Sequence, residues 1–314
     1  MKKSVVIGAM VALAGMMSAA SHAEVKYPYK NINGQVVFQL DANAAPAVLE
    51  GAKTDDFTLL YKGDMTIAVA RSDGHFYCNG ALLPQGFDPG TAKVLDTFLL
   101  TNVGAYSYCK LMPQPVDGDH FEALEFPFFS DGKHIFIRTG EVLKQADAAS
   151  FKTPAVNQAY DKAHYFFIGE KDIVLPYQRS VNIYSPCRGW ASIDDQIHYM
   201  GEKRPDVDAG TLRCLTFSNA VSKAGFYVFG KLQPFSVADV KVQNVRPWND
   251  NEDRVFTDGS HVWFVNVDAQ LLEGVNSKTL SVENDYGDYV ISDGVNKWKC
   301  GSSQTVGEPA CRKT

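Results

Sequence analysis

The sequence predicts an all-β chain: tandem units of about thirty residues, each a β-hairpin joined to a third short strand. The units are expected to form a curled or solenoid-like array, with a small-bladed β-propeller as the alternative. Three observations carry this. Aromatic and β-branched runs recur behind an Asp-led turn. A second Asp- or Asn-led turn recurs at a steady distance from the first. The apolar runs between turns are of strand length, too short for helices.

The first element is seen in Ser72-Asp73-Gly74-His75-Phe76-Tyr77, Ser130-Asp131-Gly132-Lys133-His134-Ile135-Phe136 and Thr257-Asp258-Gly259-Ser260-His261-Val262-Trp263. It returns in Asp161-Lys162-Ala163-His164-Tyr165-Phe166, in Asp195-Gln196-Ile197-His198-Tyr199 and in Ser292-Asp293-Gly294-Val295-Asn296-Lys297-Trp298. Asp closes a tight turn through its own backbone, Gly accepts positive φ, and the aromatic pair has high β-propensity. A following Gly turn, as in Cys78-Asn79-Gly80, Ile168-Gly169-Glu170 or Phe229-Gly230-Lys231, completes a hairpin. The second element is Asp or Asn followed three residues later by Ser, Thr or His. It occurs at Asp88, Asp117, Asp147, Asp208 and Asn276, and turns the chain into the third strand.

An Asp-x-x-His/Asn-x-aromatic hairpin followed by Asp-x-x-Ser-Phe resembles the DKNYY-repeat family of exported bacterial proteins. The nearest match runs from Ala146 to Phe166. The resemblance implies a β-rich repeat scaffold and brings no catalytic residues with it. Several units have Gly in place of the motif's Lys, and the cysteines lie outside the motif.

Residues 1–23 read as a cleavable signal peptide. Lys2 and Lys3 form the basic start, Val5 to Ala14 with Met16 and Met17 the apolar stretch, and Ser21-His22-Ala23 the small-residue cleavage site, with the mature chain starting at Glu24. The apolar stretch is shorter than the ~20 residues that cross a bilayer, so no membrane insertion is expected. Export places the protein in the periplasm, with secretion as the alternative. Residues 24–61 are expected to be an N-terminal cap or divergent repeat, and 62–314 a repeat domain of about eight units.

Six cysteines in an exported chain point to disulfides. Without a Cys-x-x-Cys or Cys/His cluster, zinc is the weaker reading. Sequential pairing is favoured: Cys78 with Cys109, Cys187 with Cys214, Cys300 with Cys311. Losing Lys2 and Lys3 with the signal leaves 28 basic residues against 36 acidic, a net charge of −8. That sign disfavours nucleic acid, which selects basic patches.

The mature histidines His75, His134, His164, His198 and His261 fall in one turn slot, where the last unit has Asn296, and His120 takes the Ser/Thr slot of the second element. All are expected to be structural, with no catalytic, metal or cofactor-binding residue and no cofactor. Phe76, Phe136, Phe166, Trp263 and Trp298 share a phase and are expected to be core. Trp190 and Trp248 stand outside it, in Cys187-Arg188-Gly189-Trp190 and Arg246-Pro247-Trp248-Asn249, which makes Arg188, Trp190 and Trp248 the candidate contact surface. The expected function is non-catalytic binding of a protein partner, one form being an immunity or inhibitor protein against a toxin delivered to the periplasm. A glycan-binding envelope module and an envelope hydrolase are the alternatives. Oligomeric state is left open.

Overall fold

The computed structural model describes residues 5–6, 27–41, 43–63, 67–233, 242–249, 254–285, 287–301 and 310–314. Of the expected signal segment, only Val5 and Val6 are described, as a strand paired with Val94 and Lys93. The remainder of 1–23 and the Ala23–Glu24 junction lie outside the described residues. The chain divides into two compact bodies, Met1–Phe151 and Lys152–Thr314.

Among the described residues, the architecture is all-β, in nine small antiparallel sheets that follow one another along the chain. Their first strands begin at Tyr29, Thr58, Lys93, Glu122, Lys152, Val181, Arg213, Arg246 and Ser281, a step close to the expected period. We number the repeats one to nine in this order. Repeats one to four lie in the first body and five to nine in the second.

Each repeat is an up-and-down meander. In repeat two the strands are Thr58–Lys62, Ala68–Ser72, His75–Cys78 and Ala81–Leu82. The expected three strands per unit are therefore corrected to four: six of the nine sheets have four strands, and repeat three has four of its own besides Val5–Val6. The fourth strand is often only two residues, such as Lys110–Leu111 or Glu202–Lys203. The cap boundary moves as well. Residues 29–48 form the complete first sheet, and the junction at 61/62 falls inside the strand Thr58–Lys62.

Within each body, successive sheets stack face to face, so their middle strands are covered on both sides. In repeat eight, Val255, Val262 and Phe264 meet Tyr289 and Ile291 of repeat nine. The alternating residues Phe256, Trp263 and Val265 meet Val221, Phe226 and Val228 of repeat seven. Double coverage explains why these strands read as unbroken apolar runs rather than as an alternation. Edge-on aromatic pairs tie neighbouring sheets, with ring centroids 5.3 Å apart for Phe226–Phe256 and 5.1 Å for Phe264–Tyr289.

All six cysteines are paired, as Cys78–Cys109, Cys187–Cys214 and Cys300–Cys311. The first two join adjacent repeats, and the third ties two strands of the last sheet. Three disulfides fit an oxidising, extracellular-type environment. No helix is long and apolar enough to cross a membrane among the described residues.

Candidate functional site

A four-stranded repeat has two ends. One carries the turn between the second and third strands, where the Asp–His motif lies in the repeats that have it. The other carries the turn between the third and fourth strands, where Gly80, Gly169, Gly201 and Gly230 lie.

At the Asp–His end, the motif is closed by the aspartate. Asp131 Oδ1 accepts the backbone N–H groups of Lys133 (2.9 Å) and His134 (2.6 Å). Asp161, Asp258 and Asp293 repeat the arrangement with the residues two and three places on, at 2.6–2.9 Å. The second carboxylate oxygen meets the side chain in the histidine slot: His134 Nδ1 at 3.2 Å, His261 Nδ1 at 3.1 Å, Asn296 Nδ2 at 3.3 Å. Asn and His thus satisfy the same oxygen, which is why the repeat exchanges them.

The second element uses the same device. Asp147 Oδ1 accepts from the Ser150 backbone and hydroxyl, and Asp88 and Asp208 accept from Gly90 and Gly210. In the last repeat the two elements lock together, because Asp293 Oδ2 also accepts the N–H of Asn276 at 2.6 Å. Those backbone donors hold the Asp293 carboxyl well below the usual carboxylate range. Burial pushes the Asp131 and Asp258 carboxyls up, but the N–H groups and imidazoles outweigh it and leave both below that range.

The histidine slot is not uniform. Asp73 has φ 49° and Gly74 φ 77°, a two-residue hairpin turn in which His75 Nδ1 meets the Asp73 carbonyl oxygen at 3.0 Å. His198 Nδ1 likewise meets the Gln196 carbonyl oxygen at 3.0 Å, and His120 Nδ1 meets Asp117 Oδ2 at 2.9 Å. Among the described residues, no cluster of three or more His, Cys, Asp or Glu side chains is placed to hold a metal ion.

The other end of the sheets is open in repeats five to seven. A groove of about 540 Å³ crosses it, walled by Phe167, Ile173, Tyr199, Met200, Phe217 and Phe229. Phe217 and Phe229 are 49% and 54% exposed, unlike the aromatic core beneath them. Glycine turns let the walls close in. Gly201, at φ 79°, leaves its Cβ position 2.7 Å from Ile173 Cδ1, and Gly230, at φ 74°, lies against the Tyr199 ring. Either turn would be blocked by a larger residue.

The chain matches no protein-family model and no curated protein.

Arg188 stands on the groove wall. Its backbone N–H donates to the Phe217 carbonyl oxygen at 2.8 Å, and its guanidinium lies 5.7 Å from the Phe217 ring centre. The preceding Cys187, bonded to Cys214, anchors the segment to the first strand of repeat seven. Glu170, Lys171 and Glu202 complete the rim, all exposed.

Trp190 is a correction. It opens the second strand of repeat six and is 1% exposed, packed on Tyr199 and Tyr227 with the Arg204 guanidinium over its ring. It belongs to the core, in phase with Phe98 and Phe128, which also open second strands. Trp248 is half-buried against the core between repeats eight and nine and does not line the groove. Sequence reasoning missed Phe217 and Phe229, since residues from 167 to 229 meet only once three sheets are stacked. The Gly turns at 169, 201 and 230 were the available signal.

Proposed function

We propose that this chain is an exported, non-catalytic binding protein that holds a protein partner in the groove of repeats five to seven. The observation that carries the reading is the pair of exposed aromatic rings, Phe217 and Phe229, on a concave apolar wall with a rim of charges. Exposed apolar patches rimmed by polar groups are typical of protein interaction sites, and aromatic residues with arginine dominate their energetics. At the opposite sheet end, the carboxylates of Asp131, Asp161, Asp258 and Asp293 close turns through backbone N–H groups, and the His134 and His261 imidazoles bond to their aspartates. The disulfides support a location outside the cytoplasm, and the signal-like first 23 residues support the periplasm. One form of the function is an immunity or inhibitor protein that occludes a toxin. The net acidic charge of the mature chain would steer a basic partner towards it.

The test is co-purification from periplasmic extract, followed by titration of the identified partner against wild type and a Phe217→Ser/Phe229→Ser variant. Saturable, stoichiometric binding that the variant loses supports the reading. Turnover of a substrate at substoichiometric protein contradicts it, as does binding to peptidoglycan or polysaccharide with no protein partner.

A further inference from the structure

Two arginines of repeat six differ in what they touch. Arg204 is fully engaged: two of its nitrogens donate to Asp206 at 3.0 and 2.8 Å, a third donates to the Gly230 carbonyl oxygen, and its plane lies over Trp190 and Tyr227. Arg188 has the Phe217 ring and no carboxylate partner among the described residues. Its Nε is shielded from solvent and meets no acceptor. A charged donor removed from water without an acceptor is costly. Glu170, Lys171 and Glu202 on the same rim are solvent-exposed, so they carry no such deficit.

Building on the protein-binding reading, we propose that the groove recognises an acidic–apolar segment of the partner, seating a bulky apolar side chain between Phe217 and Phe229 while a neighbouring carboxylate engages Arg188. The Arg188 backbone is held before the partner arrives by the adjoining Cys187–Cys214 bond and its own N–H bond to Phe217, and the guanidinium rests over the Phe217 ring. Pre-placement lowers the ordering cost of binding. A planar guanidinium matches a carboxylate through two parallel hydrogen bonds. Glu170 and Glu202 on the rim favour a singly charged carboxylate over a phosphate, which they would repel more strongly. The anchor is thus locally opposite in sign to the net charge: the acidic field acts on the whole partner, Arg188 on one group of it.

The probe is a random peptide library panned against the full mature chain. Enriched peptides, made with amidated C-termini, are titrated against wild type, Arg188→Met, Arg188→Lys and Phe229→Ser, each first checked for an unchanged melting temperature. The expected peptides carry Asp or Glu within two residues of Leu, Phe or Trp. Arg188→Met should weaken them about tenfold or more, the range for a hydrogen bond to a charged group, Arg188→Lys should restore part of the loss, and Phe229→Ser should weaken them too. Changing the peptide's Asp to Asn should cost affinity against wild type and little against Arg188→Met, since the two changes remove one interaction. Peptides that depend on Phe229 but lack an acidic residue, or ignore Arg188→Met, overturn this inference and leave the protein-binding reading standing. Peptides indifferent to Phe229→Ser, or no enrichment at all, overturn both. Saturable binding of dodecanoate that requires Arg188, with no peptide bound there, overturns it in favour of a lipid carboxylate.

Discussion

The two ends of the sheets in repeats five to seven are only one short strand apart, yet they treat polar and apolar groups in opposite ways. At the Asp–His end the carboxylate of Asp161 is taken up by the backbone of the turn it closes, and the carboxylate of Asp194 accepts from three successive backbone N–H groups of residues 178–180. At the Gly-turn end, Gly201 and Gly230 are buried against Ile173 and Tyr199, two phenylalanines lie open, and Arg188 meets no carboxylate among the described residues. The residue types that suggest chemistry lie where structure consumes them. The exposed aromatic rings, Phe217 and Phe229, lie at the other end.

Substitutions can break this contrast, and the largest effect belongs to neither end. Trp190→Ala should cost about 3–5 kcal/mol in urea unfolding, as for other buried tryptophans, with binding lost only as folding is lost. A Trp190→Ala protein that keeps its stability and loses its partner would return Trp190 to the contact surface. Replacing Cys187 and Cys214 together by Ser should cost about 2–4 kcal/mol and also weaken partner binding in the protein that remains folded, because the bond holds Arg188 in place. Equal affinity in the folded fraction would show that the wall needs no anchor.

At the Asp–His end, Asp131→Ala leaves the N–H groups of Lys133 and His134 without their acceptor and should cost about 2 kcal/mol. His134→Asn or His261→Asn should stay within about 1 kcal/mol and leave function intact, since Asn296 already fills that slot. Loss of function from a folded His→Asn variant would make the slot chemical rather than structural.

Acid sharpens the same point. The Asp131, Asp258 and Asp293 carboxyls titrate lower in the folded chain than in the unfolded one. Their stabilisation is complete above the unfolded carboxylate value of about 4 and is lost as pH falls through the lower folded values. The urea midpoint should therefore show little dependence on these groups between neutral pH and about pH 5, and fall steeply below about pH 4. Asp131→Asn should flatten part of that fall. An unchanged acid profile in Asp131→Asn would mean its carboxylate does not stabilise the turn.

How much was legible follows from the range of each interaction. Asp131 to His134 is a contact over three residues, so the turn, its aspartate and the Asn/His exchange could be read directly. Cysteine pairing was legible too, because the paired cysteines sit in the same or adjacent repeats. The second strand of the repeats, such as Phe98–Thr101 or Trp190–Ile193, was hidden, since it follows the preceding strand with no recurring Asp- or Gly-led motif of its own. Trp190 was misplaced because Cys187-Arg188-Gly189 before it looks like a loop, and only the phase shared with Phe98 and Phe128 shows that it begins a strand. The groove was the least legible of all. Phe167, Arg188, Phe217 and Phe229 meet only through the stacking of three sheets.

The most direct measurement compares two folded variants in one titration with the purified partner: Phe217→Ser/Phe229→Ser at the open end, and His164→Asn/His261→Asn at the closed end. The account predicts that the phenylalanine variant loses binding while keeping its melting temperature within a few degrees, and that the histidine variant binds as wild type does. Binding retained without the phenylalanines and abolished without the histidines would contradict it.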